Sequence, residues 1–327
     1  MLDPMVKRRL QAFAQRNTQQ VWLRRGMRWA WSLVRLALLC GLAFIILYPV
    51  IIQIASSFKS APDLYDNTVF LIPREPTLYN YQRVMEYLDY GSTFLRTVLF
   101  SAAVGLTQAL SCTLVAYGLA RFRFRGKKLI FGLVIFTLAV PPQALLMPLY
   151  TLFQNFSPAA VLSLGFYTPA GLELLNTPWP FLLMGLGAVG FKNGLYIYML
   201  RQYYLNVPAS LEEAAYIDGC GAVKTFVRIM LPGAVPLLVT VFLFSFVWQW
   251  NDYYYTSALG PGLDILATKL NSVGFNITAN DGDAWNALQQ SIYNNTAIVL
   301  QMIPLILLYI FTQKFFVQSI ERSGIVG

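Results

Sequence analysis

Between Leu36 and Ile54 the chain runs nineteen residues without a charge. A helix needs roughly 20 predominantly apolar residues to cross a bilayer. Lipid offers the backbone no hydrogen-bond partner, so such a run must close its own ladder as a helix. Comparable runs recur at about 94–119, 129–150, 179–200, 235–258 and 296–313. Only 12% of residues are charged, against about 25% in an ordinary soluble domain. The pattern predicts an all-α polytopic membrane protein with six transmembrane helices. A basic segment (1–35) precedes a membrane domain (36–313), and a short tail (314–327) follows it.

Six spans put both termini on one side. Sorting the cations by that scheme places 18 of the 24 lysines and arginines on the side of the termini, which the positive-inside rule makes cytoplasmic. Five of them crowd into Arg121–Lys128. Eight more lie in the N-terminal segment, interleaved with Trp22, Trp29 and Trp31. Two readings stand for that segment. It lies along the anionic leaflet with its tryptophans at headgroup depth, or it is a solvated tail that only sets orientation. It is too long before the apolar run, and lacks a small-residue cleavage site, to be a removable signal peptide. The net charge of +9 thus follows membrane lipid and implies no nucleic-acid partner. Outside, prolines 62, 73 and 76 predict turns in a polar loop, and segments 151–178 and 259–291 are expected as further external connections, the first with interfacial helical character.

Little in the chain suggests bond chemistry. There is no histidine, which removes the commonest general base and metal ligand. Cys40, Cys112 and Cys220 are too scattered for a zinc site or a disulfide framework. The Gly126-Lys127-Lys128 run lacks the leading glycine and the hydroxyl of a phosphate loop, since Arg121 and Lys128 stand at those positions. No catalytic residue, metal site or cofactor is expected on this chain, and no short internal repeat is present. A stand-alone secondary transporter would want coupling-ion ligands within the spans, for which Lys192 and Asp252 are thin support. A membrane enzyme is disfavoured by the missing histidine and by the lack of clustered carboxylates.

The polar loop 202–234 is the longest charged interruption in the second half. Pro208 blocks continuation of the preceding helix. Ser210 with Glu213 three residues on reads as a capping box, and Glu212 and Glu213 sit at the positive end of the new dipole. Asp218-Gly219 stops the helix, since glycine tolerates the left-handed conformation of helix ends. A second amphipathic piece carries Phe226, Ile229 and Leu231, with Pro232 closing it.

Glu213-Ala214-Ala215, Asp218-Gly219, Phe226 and Ile229-Met-Leu-Pro232 together resemble, spacing included, the EAA signature of ATP-binding-cassette importer permeases. Cys220, where alanine is more usual, is a small departure. Further likeness lies in Tyr117-Gly-Leu-Ala-Arg-Phe122, Pro141-Pro-Gln143, Trp250-Asn-Asp252 and the closing 316–327 run. These are similar to the carbohydrate branch, within it to the smaller permease of the maltose type. The resemblance implies a bacterial inner-membrane subunit of a sugar or oligosaccharide importer, with cargo of another class, or an acidic saccharide, as the alternative. It also implies a heterodimer with a second permease, two cytoplasmic ATPase domains that hold ATP and Mg, and an extracytoplasmic solute-binding protein. On this analogy Glu212, Glu213, Ala214, Ala215, Asp218 and Gly219 form a coupling helix that docks on the ATPase. Glu213 faces its groove, the alanines permit close approach and Gly219 sets the angle.

Polar residues at membrane depth are costly, roughly 2.5–3.5 kcal/mol for a lysine on insertion scales, and so face protein or water. Lys192 either lines a translocation cavity or pairs internally with Asp252. Asn193, Gln249, Asn251 and Asp252 are similarly placed as candidate cavity residues. Trp248, Trp250 and Tyr253–Tyr255 serve either as faces for a sugar or as interfacial anchors.

Overall fold

The protein is described from a computed structural model, which covers the backbone of residues 4–158 and 171–324 and the side chains of 27–158 and 171–314. It comprises two compact units, 1–76 and 77–327. Among the described residues it is helical, apart from one isolated antiparallel bridge between Phe156 and Leu172.

The first unit is dominated by α1 (Pro4–Ser57). Its Met27–Ser57 stretch is long enough to cross a membrane, and an 18-residue window within it has mean hydropathy 2.4. Its apolar side chains, such as Leu38 and Ile45, point outward, as a helix meeting lipid requires. A short α2 (Ala61–Tyr65) follows in a segment of turns. There Lys59 Nζ donates to the Val69 carbonyl at 2.8 Å, and buried Asp63 accepts from the Glu75 amide at 3.2 Å.

The second unit is built around α4 (Tyr90–Arg121), preceded by α3 (Tyr79–Leu88). Then come α5 (Lys127–Phe136), α6 (Pro142–Gln154), α7 (Trp179–Leu186) and α8 (Asn193–Asn206). They are followed by α9 (Ala209–Ile217), α10 (Ala222–Thr225) and a π-turn at Phe226–Met230, leading into α11 (Leu231–Asn251). The chain closes with α12 (Tyr254–Leu259), α13 (Leu266–Lys269), α14 (Val273–Asn280) and α15 (Ala287–Gly324). Helix α4 packs chiefly on α11, α8 and α7. Small residues permit the approach that membrane helices need when the hydrophobic effect cannot drive them together. A Cβ on Gly185 of α7 would lie 2.4 Å from Thr107 Oγ1 of α4, and one on Gly194 of α8 would lie 2.6 Å from Thr137 Oγ1.

Among the described residues, four helices are long and apolar enough to cross a membrane: Met27–Ser57, Tyr90–Arg121, Ala222–Asn251 and Ala287–Lys314. The third and fourth apolar runs are each broken in two. Pro141-Pro142 separates α5 from α6, because a proline lacks the amide that would continue the ladder. The fourth run breaks between α7 and α8, where two non-glycine residues, Ala188 and Lys192, hold φ of 56° and 71°. Left-handed backbone is unfavourable for such residues, so the break is held by packing rather than by local preference.

Other expectations are corrected. Helix α9 begins at Ala209 with Pro208 as its cap residue and no side-chain cap bond, so Ser210 lies inside the helix and the capping box does not form. Pro232 closes nothing. It sits in the first turn of α11, where a proline's missing amide costs no ladder bond, and α10, the π-turn and α11 run on as one rod. The fifth span ends at Asn251, and Asp252 turns the chain into α12. The 259–291 connection is largely helical: Leu259, Leu266 and Val273 are wholly buried, because its first part packs into a cluster with Phe100, Phe153 and Phe181 and α14 packs on α3 and α15. Arg96 and Lys269 both pair with Asp264, and Arg83 pairs with Asp281, binding the segment to α3 and α4. The last helix continues past 313 to Gly324. Of segment 151–178, residues 151–154 complete α6, and 159–170 lie outside the described residues.

Candidate functional site

Two regions in the second unit carry polar chemistry. The first is α9. Its sequence sends alternate faces in different directions: Glu212 and Ala215 turn inward at 8% and 3% exposure, while Glu213, Ala214, Asp218 and Gly219 face out. Glu212 is anchored to the last turn of α4. Its Oε1 accepts from the Tyr117 hydroxyl at 2.9 Å, and its Oε2 lies 3.3 Å from Arg121 Nε. The Arg121 guanidinium also donates to the Val207 carbonyl, just ahead of α9. Tyr117 in turn packs against Phe226 of the π-turn at a 4.7 Å centroid distance and against Tyr204 of α8 at 5.5 Å. One tyrosine thereby ties together α4, α8, α9 and the rod leading into α11.

The outward face of α9 is partly apolar, with Ile217 86% exposed beside Leu211 and Tyr216. Gly219 stops the helix at φ 76°, and its amide donates to the Tyr216 carbonyl at 3.1 Å. The joint therefore demands both a left-handed residue and a free N–H. The sequence groups Glu212 with Glu213, and it presents Tyr117 and Arg121 as a motif and a topology marker rather than as partners of Glu212. The i, i+1 placement of the two glutamates, which cannot share a helix face, was the available signal.

The second region is a cavity of about 260 Å³ where the two broken runs meet the end of α11. Gln108, Gln143, Phe191, Lys192, Tyr196, Ser245, Trp248, Gln249, Asp252, Tyr254 and Tyr255 line it. Lys192 Nζ stands 4.4 Å from the Trp248 ring centroid. Asp252 is engaged elsewhere: its carboxylate accepts from Thr256 Oγ1 at 2.9 Å and from the Thr256 and Tyr255 amides at 3.1 and 3.3 Å, capping α12. The Gln108 side-chain carbonyl accepts from Ser245 at 2.5 Å. Tyr255 stacks on Phe191 with centroids 3.4 Å apart, and its hydroxyl donates to the Pro142 carbonyl at 2.7 Å, joining the two breaks.

Of the polar residues expected in a cavity, Lys192, Gln249 and Asp252 are brought together. Asn193 is 1% exposed at the start of α8, and neither side-chain polar atom has a hydrogen-bond partner. Asn251 is exposed and donates to the Val247 carbonyl at 2.9 Å. Trp250 is core rather than sugar platform or interfacial anchor: it is 1% exposed and packs on Phe94 and Phe246. Gln108, Tyr196 and Ser245 carry no signal in the sequence, because a lone amide or hydroxyl in an apolar run makes no pattern, and Gln143 stands out there only as part of the Pro141-Pro-Gln143 break.

Broken helices around a polar cavity, with a surface helix moored to the transmembrane core, define a membrane transport protein. Residues 112–322 match the family described as binding-protein-dependent transport system inner membrane component, and the chain belongs to it. It is the permease subunit of an ATP-binding-cassette importer, a non-enzymatic membrane component whose ATPase is a separate partner. Among its relatives is the probable ABC transporter permease protein YurM of Bacillus subtilis, 27% identical, with the match covering 86% of this chain and 84% of that one. The arabinooligosaccharides transport system permease AraQ of Halalkalibacterium halodurans is also 27% identical, over 88% and 93%. The diacetylchitobiose uptake permease NgcG of Streptomyces coelicolor is 27% identical over 88% and 86%. The fold matches a chain in the crystal structure of a bacterial ABC transporter that imports the acidic polysaccharide alginate. That match has a TM-score of 0.69 at 23% identity and covers 88% of this chain and 96% of the other.

Proposed function

We propose that this chain is one of two permease subunits in a saccharide importer, and that α9 transmits the motion of a cytoplasmic ATPase to the transmembrane helices. The mooring of Glu212 to Tyr117 and Arg121 supports this reading most directly. A nine-residue helix conveys a rigid-body displacement only if it is fixed to what it moves, and here one face is fixed while the other is free. In this scheme α5–α6 and α7–α8 are broken third and fourth spans, giving six in all. Both termini and α9 lie in the cytoplasm in this scheme, a reading that the excess of cations on that side supports. A second permease, two ATPase domains holding ATP and Mg, and an external solute-binding protein complete the assembly. The saccharide cargo rests on relatives named for oligosaccharide uptake and on a cavity that sets amides and hydroxyls beside aromatic faces, as sugar recognition requires.

Recovery of the chain from native membranes tests this. A second permease and an ATPase are expected with it, with ATP hydrolysis raised by one saccharide-loaded binding protein. Recovery of the chain alone, still transporting, would establish a secondary transporter instead. Within the complex, Gly219→Pro is expected to abolish transport while leaving insertion intact, because proline fixes φ near −65° and removes the amide. Glu213→Ala, at the exposed position, is expected to weaken retention of the ATPase. Wild-type transport-coupled hydrolysis in either variant would refute the coupling role.

A further inference from the structure

At the turn between α4 and α5 a cavity of about 420 Å³ is lined by Arg123, Phe124, Gly126, Lys127, Lys128 and Leu129. Its charge is uncompensated. The sequence contains no Asp or Glu between Asp89 and Glu173, and no carboxylate of the described residues comes within 4 Å of Arg123, Arg125 or Lys128. Lys127 is committed to protein: its ammonium donates to the Ala120 and Phe122 carbonyls at 3.1 and 3.0 Å, closing the C-terminal end of α4. Its pKa is lowered, first by burial and then by the neighbouring Arg201 and Arg123 charges. Arg201 of α8 stands beside it, with its guanidinium 3.9 Å from the Phe131 ring centroid. The cluster is therefore one of like charges pressed together, and a lining anion would relieve it.

The neighbouring surface says which anion. From the cavity rim α5 carries Leu129, Leu133 and Phe136 on one stripe at helical spacing, exposed by 68%, 56% and 64%. A free phosphate has no use for such a stripe, whereas acyl chains do. We propose that this cavity binds the phosphodiester headgroup of an anionic phospholipid, with its acyl chains laid along the outer face of α5. Basic pockets at the cytoplasmic ends of transmembrane helices suit such headgroups. The site rests on the proposed topology, which puts the α4–α5 turn at the cytoplasmic leaflet.

Native mass spectrometry of the purified full chain, titrated with phosphatidylglycerol or phosphatidylcholine, tests it. The chain is expected to retain phosphatidylglycerol preferentially. The Arg123→Gln/Lys128→Gln double variant is expected to reduce that retention by roughly tenfold or more, while Arg74→Gln, a loss of one cation far along the sequence, leaves it unaltered. Both targeted cations are exposed and unpaired, so the fold does not depend on them, and an unchanged melting temperature verifies this. Inorganic phosphate is expected not to displace the lipid. Equal retention of the two lipids, an unaltered preference in the double variant, or displacement by phosphate would each overturn the proposal. Recovery of the ATPase with the same preparations is read separately, so failure of the lipid site and failure of the importer assembly are distinguishable.

Discussion

Glu212→Ala is expected to leave the protein in the membrane, still joined to its ATPase, and to abolish transport. Glu212 is the point at which α9 grips α4. Removing it strands the Tyr117 hydroxyl and deprives Arg121 of its carboxylate, at a place where the two partners' side chains are only 11% and 14% exposed. Breaking a buried ion pair by deleting one partner costs roughly 3–5 kcal/mol, and this pair, not fully dry, belongs toward the lower end. That is enough to let α9 move without carrying α4. The expected signature is hydrolysis that continues but no longer rises with loaded binding protein, and transport reduced by roughly tenfold or more. Glu213→Ala differs in kind, because its loss falls on ATPase retention. Tyr117→Phe is expected to show a milder form of the Glu212 defect, since it deletes one hydrogen bond and keeps the ring against Phe226. Wild-type coupling in Glu212→Ala would mean that the helix is held by other contacts and that the moored face is structural only.

The contrast between adjacent glutamates also marks how far the sequence is legible. Long apolar runs announce helices because lipid leaves no other solution, and α1, α4, α11 and α15 follow directly from Leu36–Ile54 and its counterparts. The stop at Gly219 is equally local: a positive φ and a glycine. Helix faces are not local. Whether Glu212 or Glu213 turns inward depends on where Tyr117 and Arg121 lie, about ninety residues away. The start of α9 misled for a similar reason. A Ser-x-x-Glu pattern satisfies the arithmetic of a capping box, yet Pro208 already sets an extended φ, ψ and makes itself the cap residue. The break at Lys192 was hidden as well, since a charge inside an apolar run reads as a costly insertion into a continuous helix. The structure resolves that cost by breaking the run there, with Lys192 just ahead of α8 at a left-handed φ that no propensity of lysine suggests. The helical 259–291 segment was masked by its aspartates, two of which bind the segment to α3 and α4.

Lys192→Met is expected to reduce transport by roughly tenfold or more while basal hydrolysis by the complex persists. Methionine keeps the unbranched stem, so the packing beside Trp248 survives and only the charge is lost. The sequence allowed this lysine to be either a cavity group or half of an internal pair with Asp252. Asp252 is occupied by Thr256 and Tyr255, and the structure shows no ion pair between the two residues within 4 Å. The ammonium instead faces the Trp248 ring, a contact worth roughly 0.5–2 kcal/mol depending on desolvation, which leaves its hydrogen-bonding capacity for a sugar oxygen. The two readings separate experimentally. If the lysine served the aspartate, Asp252→Asn would reproduce the Lys192→Met phenotype. If the lysine serves cargo, Asp252→Asn is expected to weaken the cap of α12 and lower thermal stability, while Lys192→Met raises the cargo concentration needed for half-maximal transport and leaves stability unchanged. Normal transport by Lys192→Met, with unaltered substrate preference, would remove the residue from the translocation path.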